Sequence, residues 1–259
     1  MRNTILYEKS GPVATLTMNR PEALNAITID MIEGLSAALS AADADHEVRV
    51  LILTGSGRAF CVGADIGQLG LWSEDSSLRE RFSARAPAMF RQLEEFRAPV
   101  IAAVNGVAAA GGFELCCLAD LVIAAEDAMI GDVHANFVGF GPVSAVVAPR
   151  VMPRKLASEL LLTGDMWSAR RLELAGFVNR AVPAEQLMDV AREWAAKIAG
   201  KPPLALAAAK NLMRGAARAE SQALQTEAFR LAEQIFDTRD FAEGVNAFQE
   251  KRPPIYTGQ

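Results

Sequence analysis

The hydrophobic pattern changes character along the chain, from short apolar runs punctuated by glycine to amphipathic stretches at helical spacing. Residues 4–9 and 13–18 read as two strands around Ser10-Gly11-Pro12, which predicts a hairpin. Residues 28–44 then read as a helix, with Thr28 able to cap it and Met31, Ile32, Leu35 and Leu39 sharing one face. Residues 48–53 form a continuous apolar run, the pattern of a strand buried on both sides. The polar stretch after it, with Gly67, Gly70 and serines between positions 73 and 77, has weak periodicity and predicts a mobile loop or a short helix. Residues 99–104 repeat the buried-strand pattern and end at Asn105-Gly106. Gly111-Gly112 opens a short helix over 113–118, and 121–125 is a third buried strand. Strands alternating with helices at this spacing predict βαβ units and a largely parallel sheet.

Beyond about residue 145 the pattern is helical. Segments 145–162, 168–175, 184–199, 202–218 and 220–248 read as helix, with breaks at Pro149, Pro153, Gly164, Gly176, Pro183 and Pro202-Pro203. The expectation is an α/β core followed by a helical tail that packs on the core or on a neighbouring subunit, without internal repeat or low-complexity linker.

Composition adds exclusions. The chain has 259 residues, 51% of them hydrophobic, enough for one large α/β domain. The net charge of -5 argues against nucleic acid as a partner, which needs a basic patch. Cys61, Cys116 and Cys117 have no metal-ligand spacing and read as small buried residues in a reducing compartment. No apolar run approaches a membrane span and the first residues hold no signal core, so the expectation is a soluble, cytoplasmic protein.

Three segments could carry chemistry. Gly55 through Asp65 comes directly after a buried strand, and its small residues let a ligand approach the main chain, with the Ala64 N–H free to point into a cleft. A glycine-serine-glycine turn is also ordinary in itself, and no Gly-Lys-Ser/Thr comes after it to make it a phosphate loop. The second segment, Asn105 through Glu114, again runs from a strand into a helix. The N–H groups of Gly111 and Gly112 sit at the positive end of that helix, where a developing oxyanion is stabilised. Glu114 lies in the same first turn. It either complements the helix dipole on a solvated face or, among Phe113, Leu115, Cys116, Cys117 and Leu118, is partly buried with a raised pKa suited to proton transfer. The third segment, Gly131 through Phe137, holds His134, structural or catalytic on this pattern alone; His46 lies in a charged stretch and reads as surface. There is no HExxH, CxxC or dinucleotide fingerprint, and Ser56 lacks nucleophile-elbow spacing.

Taken together these segments resemble the enoyl-CoA hydratase/isomerase (crotonase) superfamily over nearly the whole chain. Arg20-Pro21-Glu22-Ala23-Leu24-Asn25-Ala26 is similar to the stretch lining that family's coenzyme A channel. Gly55 to Asp65 resembles its first oxyanion loop, and Ala103 to Asp120 its second loop and helix. Leu162-Thr163-Gly164-Asp165 and Ala175-Gly176-Phe177-Val178-Asn179 continue the likeness, and residues 248–253 resemble the C-terminal stretch that closes over the nucleotide. The resemblance implies a crotonase-like (ClpP/crotonase) spiral of ββα units over 1–200. It implies a C-terminal helical region over 201–259 that serves trimerisation and closure of the CoA site. It places the oxyanion hole at Ala64 and Gly111, the catalytic groups at Glu114 and His134, and substrate contacts at Leu24, Ala26, Ala59, Cys61, Asp65, Ile66, Gly112 and Lys251. It implies an acyl-CoA thioester as substrate, no further cofactor, no metal, no membrane partner, and a homotrimer or dimer of trimers.

One departure changes the chemistry to be expected. Hydratases of the family carry a second Glu twenty residues after the first, and that count from Glu114 lands on His134. Three readings remain open. Glu114 works with His134 or Asp132 to hydrate a 2-enoyl-CoA; or Glu114 alone moves a proton, as in double-bond isomerisation or another enolate reaction; or the protein binds CoA esters with little turnover.

Overall fold

In a computed structural model, which describes residues 3–137, 139–215 and 218–257, the chain opens with the expected hairpin. β1 (Ile5–Ser10) and β2 (Val13–Met18) pair antiparallel, Ile5 opposite Met18. α1 (Ile29–Ala44) comes next, with the Thr28 hydroxyl accepting from the Met31 N–H and with Met31, Ile32, Leu35 and Leu39 all buried. The chain then repeats one unit. β3 (Val50–Gly55) leads to β4 (Ala59–Cys61), then α2 (Ile66–Gly70) and α3 (Ser76–Glu95). β5 (Val100–Val104) leads to β6 (Val107–Ala109) and α4 (Gly111–Leu118). β7 (Leu121–Ala125) leads to β8 (Met129–Gly131), α5 (His134–Phe137) and α6 (Ser144–Val151). The chain continues through α7 (Arg154–Thr163), β9 (Trp167–Ser168), α8 (Ala169–Leu174), β10 (Arg180–Val182) and α9 (Leu187–Ala199). It ends in α10 (Pro203–Gly215), α11 (Arg218–Phe236) and α12 (Arg239–Gln249).

The longer strands form one sheet in the order β1-β2-β3-β5-β7-β10, parallel from β2 onward. The short strands form a second, in the order β4-β6-β8-β9. Each ββα unit therefore contributes one strand to each sheet, which is the spiral that the resemblance implied. α9 covers one face of the larger sheet, its Leu187, Ala191, Ala195 and Ala199 buried with Val50, Ile52, Ile101 and Ile123.

Three expectations need correction. The polar stretch after Gly67 is helical: α2 passes through a 3-10 turn at Leu71–Ser73 into α3, a 20-residue helix. Periodicity missed α3 because only Ala86, Met89, Phe90 and Leu93 of it are buried and Pro87 sits inside it. The single helix expected over 220–248 is two, because Thr238 caps α12 by accepting from the Phe241 N–H. Pro149 lies inside α6 and does not end it; the break falls at Met152 and Pro153. Residues 216 and 217 of the expected 202–218 helix lie outside the described residues, as do residues 1, 2, 258 and 259 of the two expected regions.

The tail is tied to its own core. The Lys210 ammonium is buried, donates to the Ala98 carbonyl and pairs with Asp120 at 2.8 Å, and Arg214 reaches the other oxygen of Asp120 at 2.8 Å. None of the described helices is long and apolar enough to cross a membrane. Among the described residues no cluster of three or more His, Cys, Asp or Glu is arranged to hold a metal.

Candidate active site

The site grows from two sharp junctions at the ends of the short strands β4 and β6. At Ala110 the main chain takes φ 50° and ψ −117°, a conformation that costs a non-glycine residue roughly 1–3 kcal/mol. That single residue turns the chain from β6 into α4, so the Gly111 and Gly112 amides stand at a helix start with no partner inside the helix. Gly112 must be glycine, because a Cβ there would lie 2.8 Å from the Cys61 carbonyl carbon and closer still to its oxygen.

The second junction lies just after β4. Ile27 donates to the Gly63 carbonyl at 2.8 Å and accepts from the Asp65 amide at 3.0 Å. These bonds flank Ala64 and turn its own N–H away from that ladder. Gly63, at φ 86°, brings the two junctions together: a Cβ on it would lie 2.9 Å from the Gly111 nitrogen. Two main-chain donors from distant parts of the sequence thus border one space.

Beneath them lies Glu114, only 2% exposed. Its Oε1 accepts from the main-chain N–H groups of Val143 (2.9 Å) and Ser144 (3.1 Å) at the start of α6. Burial raises its pKa above the ordinary carboxylate value, with the nearby Asp132 adding to the shift and His134 and the two N–H groups opposing it. Asp132, 1% exposed, joins His134 to Ser144. One oxygen lies 2.6 Å from His134 Nδ1 and accepts from the His134 amide at 3.0 Å; the other accepts from the Ser144 hydroxyl. Burial disfavours the charged imidazole, but the carboxylate at contact distance and Glu114 beyond it outweigh burial and push His134 up to about 9. Asp132 is correspondingly held below its usual range despite its burial. The result is a buried Asp132–His134 ion pair beside a carboxyl group of raised pKa. Gly141 packs against all of it: a Cβ there would meet Ser144 Oγ, Glu114 Oε1 at 2.7 Å and Asp132 Oδ2 at 2.8 Å.

Ala64, Gly111, Glu114 and His134 border one cavity of about 80 Å³, room for several water-sized groups. Its remaining wall is mostly apolar, from Trp72 and Phe82 through Phe90 to Phe229 and Phe236. Nothing in the hydrophobic pattern announces this wall, because α3 has no legible period and α11 lies more than a hundred residues from Glu114. Ser144 was missed as well; only the fold sets its hydroxyl on Asp132.

The other residues expected at the ligand do not border this cavity. Ala59 and Cys61 are fully buried in β4. The Ala59 carbonyl accepts from Asn25 (2.8 Å) and Asn105 (3.1 Å), and burial pushes the Cys61 thiol up to about 12. Asp65 caps α2 and pairs with Arg20 at 3.1 Å, with Ile66 beginning that helix. Leu24 ends a 3-10 turn in the left-handed region at φ 52°, and Ala26 is buried behind it. Gly112 is buried in the Cys61 contact, and Lys251 is exposed just after α12 at φ 55°.

Comparison with known proteins gives the family. The sequence profile of the family described as enoyl-CoA hydratase/isomerase matches residues 8–259. The chain is 35% identical to a probable mitochondrial enoyl-CoA hydratase of Dictyostelium discoideum, over 98% of this chain and 90% of that one. It is 32% identical to the 2,3-dehydroadipyl-CoA hydratase of Escherichia coli, over 98% and 99%. Among solved structures, the carnitinyl-CoA hydratase of Mycobacterium avium superposes with a TM-score of 0.89 at 30% identity, each chain covered in full. Profile, identity and fold agree over the whole length, and the chain belongs to the enoyl-CoA hydratase/isomerase family of enzymes acting on acyl-CoA thioesters.

Proposed function

We propose that this enzyme adds water across the double bond of a 2-enoyl-CoA, with Glu114 and His134 as the proton-transfer pair. The observation that carries the reading is the convergence of two main-chain donors, one buried carboxyl group and one imidazole of raised pKa on a single cavity. The thioester oxygen sits between the Ala64 and Gly111 N–H groups, which draw electron density from the conjugated bond and make Cβ electrophilic. Glu114 in its ionised form takes a proton from water as the water oxygen bonds to Cβ. The π electrons move onto the thioester oxygen as an enolate held by the two N–H groups. The enolate collapses as Cα takes a proton from the His134 imidazolium, leaving protonated Glu114 and neutral His134 to exchange protons with solvent. Asp132 is a positioning residue: it holds Nδ1, directs Nε2 away from itself and keeps the ring charged.

The test is an assay of the purified enzyme with crotonyl-CoA and a longer 2-enoyl-CoA, following the conjugated thioester absorbance. Loss of absorbance with formation of the 3-hydroxy product is expected. Binding without loss would overturn hydration and leave proton exchange at the α-carbon, read by deuterium incorporation.

The proton inventory sets the pH dependence. The folded value of about 9 for His134 lies above its ordinary 6.5, so the proton it donates is present below that range and lost as pH rises through about 9. The alkaline limb of kcat/KM is therefore expected near pH 9, and the acid limb above the ordinary carboxylate range because burial raises Glu114. The same sign governs stability: the contribution of the His134 proton is full below about pH 6.5 and disappears as pH rises through 9. That of the depressed Asp132 carboxylate is lost as acid protonates it, so the pair stabilises the fold between these limits. Asp132→Asn should move the alkaline limb down by at least one unit; an unmoved limb would separate it from His134.

We also take the enzyme to be a trimer or a pair of trimers. Leu204, Leu212 and Met213 of α10 are 85%, 75% and 75% exposed, apolar surface of the kind that a second copy would cover. Light scattering should give about three or six times 27.7 kDa; a mass near that of one chain would refute association.

A further inference from the structure

Ser144 stands between the two proton-transfer groups and touches the carboxyl group on each side. It is the first residue of α6 and is fully buried. Its amide donates to Glu114 Oε1 at 3.1 Å. Its hydroxyl donates to Asp132 Oδ2, the carboxylate whose other oxygen holds the His134 ring at 2.6 Å and the His134 amide at 3.0 Å. The hydroxyl has a second acceptor within reach, the Gly141 carbonyl at 3.1 Å. It has one proton to give, and an ionised carboxylate is the stronger acceptor. Gly141 packs so closely that any Cβ there would overlap Ser144 Oγ, so the hydroxyl is confined beside Asp132 with no room for water to replace it.

Through Asp132 this hydroxyl acts on His134. A hydrogen bond to a carboxylate stabilises its charge. The stabilisation is smaller while the imidazolium neutralises Asp132, because the hydroxyl proton and the ring charge repel each other. It is larger once His134 has lost its proton and Asp132 is left as an uncompensated buried charge. Ser144 therefore favours the deprotonated ring, against the carboxylates that hold the proton on it. Those are Asp132 and, beyond it, Glu114. The other titratable groups around the site do not compete: burial pushes the Cys61 and Cys117 thiols upward, and Glu233 across the cavity is paired with Arg79 at 3.1 Å. Among the described residues, Ser144 is the side-chain donor to Asp132 besides His134 itself.

We infer that Ser144 is a positioning residue for proton transfer: its hydroxyl fixes Asp132 and weakens the hold of that carboxylate on the His134 proton, so that the imidazolium gives it to the α-carbon more readily. The inference rests on the hydration reading, in which His134 is the acid, and adds the group that sets the strength of that acid. The Ser144 amide on Glu114 keeps the base in register with the same residue.

The experiment is an NMR titration of the two histidines in protein labelled at their ring carbons, with exposed His46 as internal reference. Ser144→Ala and Ser144→Gly both delete the hydroxyl and keep the amide. In each, the His134 midpoint is expected to rise by about half a unit or more, opposite in direction to the effect of Asp132→Asn, while His46 stays in place. In turnover of a 2-enoyl-CoA at neutral pH, kcat should fall about three- to tenfold with KM little changed. Adding Ser144→Ala to Asp132→Asn should cost nothing further, because the hydroxyl acts through that carboxylate. A His134 midpoint unmoved or lowered in both variants would overturn the inference. So would a raised midpoint with the parental kcat, or full additivity with Asp132→Asn. The titration needs no turnover, so the two readings fail separately: a raised midpoint in a protein that leaves crotonyl-CoA unchanged would keep the Ser144–Asp132 link and remove its part in hydration.

Discussion

Replacing Glu114 by Gln is expected to lower turnover of a 2-enoyl-CoA by about 10³-fold, within the range of general acid–base catalysis, while acyl-CoA binding persists. The fold should tolerate the change. Gln has the same shape, and its carbonyl oxygen can still accept from the Val143 and Ser144 N–H groups that now reach Oε1. What Gln cannot do is take a proton from water. Burial that raises the Glu114 pKa is a destabilising feature which the neutral amide removes, so the variant should melt no lower than the parent. The pair of measurements is stopped-flow loss of the conjugated absorbance and calorimetric binding of a saturated acyl-CoA. Activity within tenfold of the parent would remove Glu114 from the chemistry altogether.

The second large effect is expected at Gly112, where substitution by Ala should lower kcat at least 100-fold and depress the melting temperature by several degrees. A Cβ there overlaps the Cys61 carbonyl oxygen and lies 2.8 Å from its carbon. Both partners are main chain, so no side chain can rotate out of the way. Either β4 or the start of α4 must move, and overpacking of this kind costs about 1–3 kcal/mol. The first turn of α4 carries the Gly111 N–H, so the same displacement takes one donor off the thioester oxygen. Loss of one oxyanion donor costs about 10²–10³ in kcat. A comparable loss of stability from a core substitution remote from α4, Leu39→Ala in α1, should leave kcat of the folded fraction nearly unchanged. If Gly112→Ala melts lower but keeps its kcat, the Gly111 amide is not a donor in the reaction.

Much of the frame was legible because it depends on local pattern. The runs at 48–53, 99–104 and 121–125 are apolar on both faces, and they became β3, β5 and β7 with small shifts at their ends. Thr28 and its i, i+3, i+4 partners announced α1. The short strands of the second sheet did not show in the pattern, since β4, β6 and β8 have three residues each and are defined by their neighbours and not by their own composition. α3 stayed hidden for a related reason: most of its residues face outwards, and what makes it helical is the packing of Met89, Phe90 and Leu93 on the core.

The candidate site divides along the same line. Glycine-rich turns after buried strands, a carboxylate in the first turn of an apolar helix and a histidine twenty residues on were all in the sequence, because each is a local arrangement of residue types. The pairing of His134 with Asp132, the link to Ser144, the two N–H groups from α6 on Glu114 and the aromatic wall from α3 and α11 arise only when the elements pack. Backbone preference acts over one or two turns, whereas the charge state of a buried group and the shape of a cavity depend on whatever the fold brings within a few ångströms. Residue order alone was therefore enough to mark the groups able to do chemistry and the strands and turns that carry them. Packing settled which of them share one space and which partners each meets there.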